Sequence, residues 1–284
     1  MRPVRLALLT VVLVGLLTSA GRASWAGPLP RGSSSSTTTR EVSLPAPVPC
    51  DGCWKPALRT SWQWQLQGRI DTSVHAHMFD TDMFETSKAT VQTIHDHGDV
   101  AVCYVDAGTW ENWRPDASKF PDAVKGRPNG WPGERWLDIR RLGVLGPILQ
   151  ARIHRCAAKG FDGVEFDNVD GFANDTGFRL TGADQLRFDV WLANHAHLAG
   201  LSAALKNDLG QVHRLLPYFD FALDEQCFQY HECGRLQPFL DAGKAVFEVE
   251  YRLDPSAFCP KANDLNFNSM KKRLSLKVWR RPCR

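Results

Sequence analysis

"GPILQARIHRCAAKGFDGVEFDNVDG", residues 146–171, decides the fold. Its first part reads as a helix that stops at Gly160, because a glycine after the last apolar turn accepts the left-handed conformation that ends helices. "GVEFD" (163–167) then reads as a strand. Helix followed closely by strand is the repeating unit of a parallel sheet. The strand also poses a chemical question. Asp162, Glu165, Asp167 and Asp170 crowd against Phe161, Val164, Phe166, Val169 and Phe172. Like charges beside apolar surface repel one another and lose hydration, so the arrangement must serve a purpose.

The same rhythm runs from residue 60 to the end. Candidate strands are "WQWQL" (62–66), "HAHMFD" (75–80), "VAVCYVD" (100–106), "RWLDI" (135–139), "GVEFD", "SAALKN" (202–207), "FDFALDE" (219–225), "AVFEVE" (245–250) and "LSLKVW" (274–279). Helical stretches between them stop at Gly98, Gly160, Gly200 and Gly243, and Thr181 with Asp184 forms a variant capping box. Nine candidates are one more than a (β/α)8 TIM barrel needs, and either "RWLDI" or "LSLKVW" is the surplus. An open doubly wound sheet is the alternative α/β fold, but no glycine-rich phosphate loop follows the first strand. The barrel is therefore the expected fold.

The chain of 284 residues opens with Arg2, Arg5 and the apolar run "LALLTVVLVGLL". Residues 1–26 read as a secretory signal, cleaved after Ala20 or Ala26, with an uncleaved anchor as the alternative. No later segment is apolar for long enough to span a bilayer, so no membrane partner is expected. Residues 27–48, rich in Ser, Thr, Pro and Gly, read as a flexible linker, and 49–284 as the barrel domain. The first 26 residues carry three arginines and no acid, which accounts for the whole formal charge of +3. A balanced remainder gives no footprint for nucleic acid. A secreted, extracellular monomer is expected. Its eight cysteines favour disulfides. Eight cysteines allow 105 pairings. The expected set is Cys103–Cys156, Cys227–Cys233, Cys259–Cys283 and, by remainder, Cys50–Cys53. "CDGC" as a zinc half-site is disfavoured, since no second C-x-x-C exists.

Polar residues end one strand after another: Gln65 and Gln67, Asp80 and Asp82, Asp106, Asp138, Glu165 and Asp167, Lys206 and Asn207, Glu225, Glu250. Active sites of such barrels lie at those ends. Strand parity puts Glu165 and Asp167 on one face, Val164 and Phe166 on the other. By the same rule Glu248 and Glu250, and Gln63, Gln65 and Gln67, are expected to face the barrel mouth. Phe247, Val249, Trp62 and Trp64 are expected to meet the helices. Paired carboxylates suit glycosidic bond cleavage, where one donates a proton and the other attacks or activates water. Trp110, Trp113 and Trp131, in the loop after the third strand, can stack on sugar faces or clasp that loop. His75 and His77 stand at the wrong end of their strand for metal catalysis. No G-x-S-x-G elbow is present.

With these motifs assembled, the chain resembles glycoside hydrolase family 114, the secreted endo-α-1,4-polygalactosaminidases, over residues 60–252. The stretches that carry the likeness are "WQWQLQG" (62–68), "MFDTDMFETS" (78–87), "CYVDAGTWENWRPD" (103–116), "WPGERWLDIR" (131–140), "GFDGVEFDNVDGF" (160–172), "LKND" (205–208), "DEQCFQYHEC" (224–233) and "AGKAVFEVEY" (242–251). The resemblance implies a barrel without a metal or other cofactor that cuts within α-1,4-linked galactosamine chains. It implies Asp167 and Glu225 as the catalytic pair, with Asp167 as nucleophile, Glu225 as acid/base, and the reverse assignment open. It implies Gln65, Asp80, Asp82, Tyr104, Asp106, Glu165, Lys206, Asn207 and Glu250 as the substrate-binding and supporting set. Phe166 stands where the family pattern often has proline. A deacetylated galactosamine polymer is cationic, and an acidic cleft attracts it. A non-catalytic carbohydrate-binding barrel, or a hydrolase of another amino-sugar polymer, is the alternative.

Overall fold

The structure is a computed structural model that describes residues 42–284; the expected signal and most of the expected linker lie outside the described residues. The first βα unit runs from β1 (Trp62–Gln65) through β2 (Met78–Asp82) and α1 (Lys88–Asp96) to β3 (Val100–Asp106). Ser87 caps α1 by accepting the Thr90 N–H. A three-stranded antiparallel insert follows, formed by β4 (Thr109–Glu111), β5 (Lys125–Pro128) and β6 (Glu134–Leu137) in the order β4-β6-β5. Next come α2 (Leu142–Lys159), β7 (Gly163–Asp167), α3 (Gly182–Leu198), β8 (Ser202–Lys206), α4 (Val212–Leu215) and β9 (Phe221–Glu225). The chain finishes with α5 (Gln237–Asp241), β10 (Val246–Glu250), α6 (Pro255–Asp264), β11 (Asn268–Lys272) and β12 (Arg280–Pro282). Gly160 closes α2 at φ 89°, and the Thr181–Asp184 capping box opens α3, both as the sequence predicts.

The large sheet has the order β1-β2-β3-β7-β8-β9-β10-β11-β12. Every pairing from β1 to β11 is parallel, and only β12 runs antiparallel to its neighbour. Eight parallel strands, with helices in the connections from β2 onward, make a nearly closed barrel of the (β/α)8 type. Its seam, between β1 and β11, is bridged by segment 273–280. Leu66 N donates to Leu276 O at 3.0 Å, Trp62 Nε1 to Asn268 O at 2.7 Å, and Arg280 to Trp62 O at 2.6 Å.

Three sequence expectations are corrected here. "RWLDI" lies in the insert rather than the barrel, and "LSLKVW" is not a strand, so both are surplus. The eighth barrel strand is β11, "NSMKK", whose only large apolar residue is Met270. Its polar members are kept in place by bonds such as Lys272 Nζ to Gln63 Oε1 at 3.1 Å. Parity is reversed on β1 and β10. Trp62, Trp64, Phe247 and Val249 pack inside the barrel with Met78, Val102, Phe221, Leu223 and Met270. Gln63 and Gln65 turn outward, to bond with Val278 O and with the backbone of residues 67–71. Glu248 faces outward toward Asp224 and Ser269 on the flanking strands. These strands are buried on both faces, so apolar alternation alone does not identify the inner one.

The four expected disulfides are all present: Cys50–Cys53, Cys103–Cys156, Cys227–Cys233 and Cys259–Cys283. Residues 45–48, read from composition as the end of the linker, are fastened to the barrel. Tyr218 donates to Pro45 O at 2.7 Å, Asn194 Nδ2 to Ala46 O at 3.2 Å, and Val48 N to Asn194 Oδ1 at 2.8 Å.

Candidate active site

Lys206 ends β8, between β7 and β9, on the inward parity. Its side chain is fully buried, and its ammonium lies 2.8 Å from Asp167 Oδ1, 3.1 Å from Glu165 Oε1 and 3.2 Å from Glu225 Oε2. The Trp64 ring lies beneath it at 4.8 Å. A buried ammonium survives only when compensated, and here three carboxylates from the two flanking strands do so. Their parity follows from the strands themselves: 165 and 167 on β7, 206 on β8 and 225 on β9 all face inward.

The four inner acids do not share one environment. Burial pushes Asp167 up, but the Lys206 ammonium and the Tyr104 hydroxyl outweigh it, and the carboxyl ends far below its ordinary range. Tyr104 Oη donates to its Oδ2 at 2.7 Å. Burial itself keeps Tyr104 protonated as a donor. Glu225 is likewise pushed up by burial and pulled further down by Lys206, with the Tyr251 hydroxyl donating to Oε1. Asn207 Nδ2 donates to its Oε2 at 3.4 Å, and Asn207 Oδ1 accepts the Glu225 N–H at 3.1 Å. Glu165, which accepts Trp64 Nε1 at 3.1 Å, is raised by burial, and Asp80 is raised much further by burial and by Glu165 itself. Two carboxyls drawn down by Lys206 thus stand beside two raised by burial, an arrangement that separates roles among like groups.

The turns that follow these strands are unusual. Asn168, Asn207 and Gln226, directly after Asp167, Lys206 and Glu225, have φ of 60°, 52° and 65°. Asparagine tolerates this left-handed region better than most residues, whereas glutamine there is strained. Gly108 makes room for the first of them: a Cβ on Gly108 would lie 1.8 Å from Asn168 O.

Above the carboxylates opens a cleft of about 430 Å³. Gln67, Leu274 and Leu276 line one side, and Asp82, Glu85, Tyr104, Asp167 and Asn168 line its floor and flank. The insert supplies the opposite wall, with Glu111, Trp113, Arg114, Trp131 and Glu134. Trp113 and Trp131 are solvent-exposed, as a stacking surface must be. Trp110 is the clasp of the two readings: its Nε1 donates to Ala117 O at 3.0 Å and Lys125 caps its ring. Arg114 pairs with Asp82 and with Glu111, each at 2.6 Å. Glu134 is pushed up to about 7 by burial, with Glu111 and Asp167 adding to the effect and Asn129 opposing it.

Of the residues singled out in the sequence, Asp80, Asp82, Tyr104, Glu165, Asp167, Lys206, Asn207 and Glu225 converge at this end of the barrel. Asp106 lies beside them, raised by burial and by Glu111, and holds Thr109 through both its N–H at 3.0 Å and its hydroxyl. Gln65 and Glu250 do not join them. Gln65 is outside the barrel wall, and Glu250 Oε1 accepts the Gln229 N–H at 2.9 Å on the outer face. Sequence reading missed Trp64 and Tyr251, because it reversed the parity of their strands. It quoted the segments containing Glu111, Arg114 and Glu134 but gave those residues no role. Asp106, Glu111 and Glu134 bring carboxylate oxygens within 4.8 Å of one another, close enough for a cation. Thr109, Arg114 and Asn129 already occupy them, so the set reads as a hydrogen-bonded wall.

The profile of glycoside-hydrolase family GH114 matches residues 46–284. Among solved structures, Ega3 of Aspergillus fumigatus in complex with galactosamine is 38% identical, with a TM-score of 0.78, over 81% of this chain and 97% of that one. The glycoside hydrolase domain of PelA from Pseudomonas aeruginosa shares the fold at 13% identity and a TM-score of 0.62, over 78% and 97% of the two chains. TtGalA, an α-galactosidase from Thermus thermophilus, shares it more loosely, at 14% identity and a TM-score of 0.53 over 79% and 60%. A comparison with curated protein sequences finds no match. A barrel with buried carboxylates at its strand ends, matched along nearly its whole described length, leads to one assignment: the chain is a glycoside hydrolase and belongs to family GH114.

Proposed function

We propose that the chain is a secreted, endo-acting hydrolase of α-1,4-linked galactosamine polymers, working through Asp167 and Glu225. The observation that carries this reading is the buried Lys206 ammonium, held at 2.8 Å from Asp167, which lines an acidic, tryptophan-walled cleft, and at 3.2 Å from Glu225 behind it. Asp167, fixed by Lys206 and Tyr104, stays ionised and attacks the anomeric carbon. Glu225 takes up a proton when substrate displaces water, and it protonates the leaving oxygen. Attack converts Asp167 to a neutral ester. Lys206 is then left to Glu225 and Glu165, which favours ionised Glu225 and its second role as base for the incoming water.

The substrate class rests on charge and on kinship. Glu85, Glu111, Glu134 and Asp82 line the cleft against one cation, Arg114, which is already paired. A cationic sugar chain is attracted there. The 38% identical Ega3 was solved with galactosamine. Four disulfides and the leader at residues 1–26 support export.

The test is product analysis on partly deacetylated α-1,4-galactosamine polymer, comparing the purified chain with Asp167→Asn and Glu225→Gln. Soluble oligosaccharides from the wild type and none from either variant are expected. Tight binding without cleavage by the wild type would replace this reading with a carbohydrate-binding barrel.

A further inference from the structure

Asp167 and Glu225 are held in one pattern, each with Lys206 on one oxygen and a tyrosine hydroxyl on the other. Asp167 has Lys206 on Oδ1 at 2.8 Å and Tyr104 on Oδ2 at 2.7 Å. Glu225 has Lys206 on Oε2 at 3.2 Å and Tyr251 on Oε1. The two hydroxyls come from different flanks. Tyr104 belongs to β3, which pairs with β7. Tyr251 directly follows β10, which pairs with β9 and sets Val249 beside Glu225. The Tyr251 ring packs against the apolar cluster inside the barrel, and that packing carries its hydroxyl to the carboxyl.

The two oxygens of Glu225 differ in what they can do. Oε2 faces the Lys206 ammonium and, at 3.4 Å, Asn207 Nδ2; neither group accepts a hydrogen bond. The Asn207 amide is fixed in that orientation, because its Oδ1 accepts the Glu225 N–H at 3.1 Å. A proton on Oε2 would therefore point at donors. Oε1 faces a hydroxyl, which donates in one rotamer and accepts in another. Tyr251 keeps its own proton, since burial and the Glu225 charge push it well up.

We propose that Tyr251 is the positioning residue of the acid/base: it holds the Glu225 carboxyl by Oε1 and makes Oε1 the oxygen that carries the transferable proton. The proposal rests on the assignment of Glu225 as acid/base given above. With the proton on Oε1, the Tyr251 hydroxyl accepts. As the glycosidic C–O bond breaks, its electron pair stays on the leaving oxygen and the Oε1 proton moves there. Tyr251 then rotates to donate to the carboxylate left behind. The charged groups around Glu225 are Lys206 of β8 and, sharing that ammonium with it, Asp167 and Glu165 of β7. The hydroxyl from the β10 side adds to that ammonium rather than replacing it.

The test compares wild type, Tyr251→Phe and Glu225→Gln on two substrates. One is partly deacetylated α-1,4-galactosamine polymer; the other is a galactosamine oligomer with a dinitrophenyl leaving group, which departs without a proton. Tyr251→Phe keeps the packed ring and should melt like the wild type. Its kcat/KM is expected to fall ~10-fold or more on the polymer, part of the ~10²–10⁴ that a general acid contributes, and by less than about twofold on the aryl substrate. The basic limb of its polymer pH profile reports the group that must be protonated. That limb should move up by about one unit, because losing a donor to the ionised carboxylate favours the neutral acid. The acidic limb should stay in place. Equal losses on the two substrates, or an unmoved basic limb, would overturn the proposal and leave Glu225 in its role if Glu225→Gln is inactive on the polymer. Polymer cleavage by Glu225→Gln at the wild-type rate would remove the acid/base assignment and the proposal with it.

Discussion

Replacing Lys206 by methionine removes the buried cation beneath the cleft and leaves its volume nearly filled. The wild-type ammonium faces three carboxylates at 2.8, 3.1 and 3.2 Å. Breaking a buried ion cluster from one side costs roughly 3–5 kcal/mol, because the remaining charges stay buried without a partner. The protein can limit that loss by taking up a proton. Protonating one carboxyl at pH 7.5, against an unfolded value of ~3.9, costs about 5 kcal/mol, and at pH 4.5 only about 1 kcal/mol. In the wild type Asp167 and Glu225 are depressed, so their stabilisation is present above the unfolded carboxyl pKa and is lost as pH falls through their folded values. In Lys206→Met that depression is gone. The stability gap between the two proteins is therefore expected to be about 3–5 kcal/mol at pH 7.5 and about 1 kcal/mol at pH 4.5. Urea melts at the two pH values measure it. Activity at neutral pH should fall by ~10²-fold or more, since an aimed charge at the reacting group is lost. A gap below 1 kcal/mol at pH 7.5, or one that does not change with pH, would refute the account of Lys206 as the counter-charge of this cluster.

Three further outcomes are expected. Glu134, with its carboxyl near 7, attracts the amine of the substrate only when ionised. The KM ratio of Glu134→Gln to wild type should be close to one at pH 5.5 and several-fold at pH 7.5, which initial-rate kinetics at both values will read. Gly108→Ala would set a Cβ 1.8 Å from Asn168 O and push the turn that follows Asp167; a stability loss of ~1–3 kcal/mol with a larger fall in kcat than in thermal stability is expected, checked by melting and rates. Cys103 and Cys156 close a loop of 53 residues between β3 and α2, so replacing both by serine should cost up to about 4 kcal/mol in urea unfolding.

What could be read from the sequence, and what could not, divides along a physical line. Helix stops at Gly98 and Gly160, the Thr181–Asp184 cap and strands β3 and β7 were legible because each is a local event: a left-handed glycine, a capping side chain, a run of β-branched and aromatic residues. β11 was not, because "NSMKK" has no apolar run and is a strand only through its neighbours, pairing with β10 and filling the seam beside β1. Parity shows the same limit in the site itself. On β7 the acids were correctly turned inward, yet the identical alternation on β10 turned Glu248 and Glu250 the wrong way. The difference lies across the sheet. Glu165 and Asp167 meet Lys206 on the next strand, whereas Glu248 meets Asp224 and Ser269 under the outer helices, where burial and the neighbouring Glu250 push its carboxyl well up. A carboxyl that is to stay ionised in the core needs a cation there, so the inward parity of Asp167 and Glu225 goes with the lysine on the strand between theirs. Lys206, the one lysine on an inward strand end between two acidic strands, is thus the residue from which the orientation of β7, β8 and β9 can be derived together.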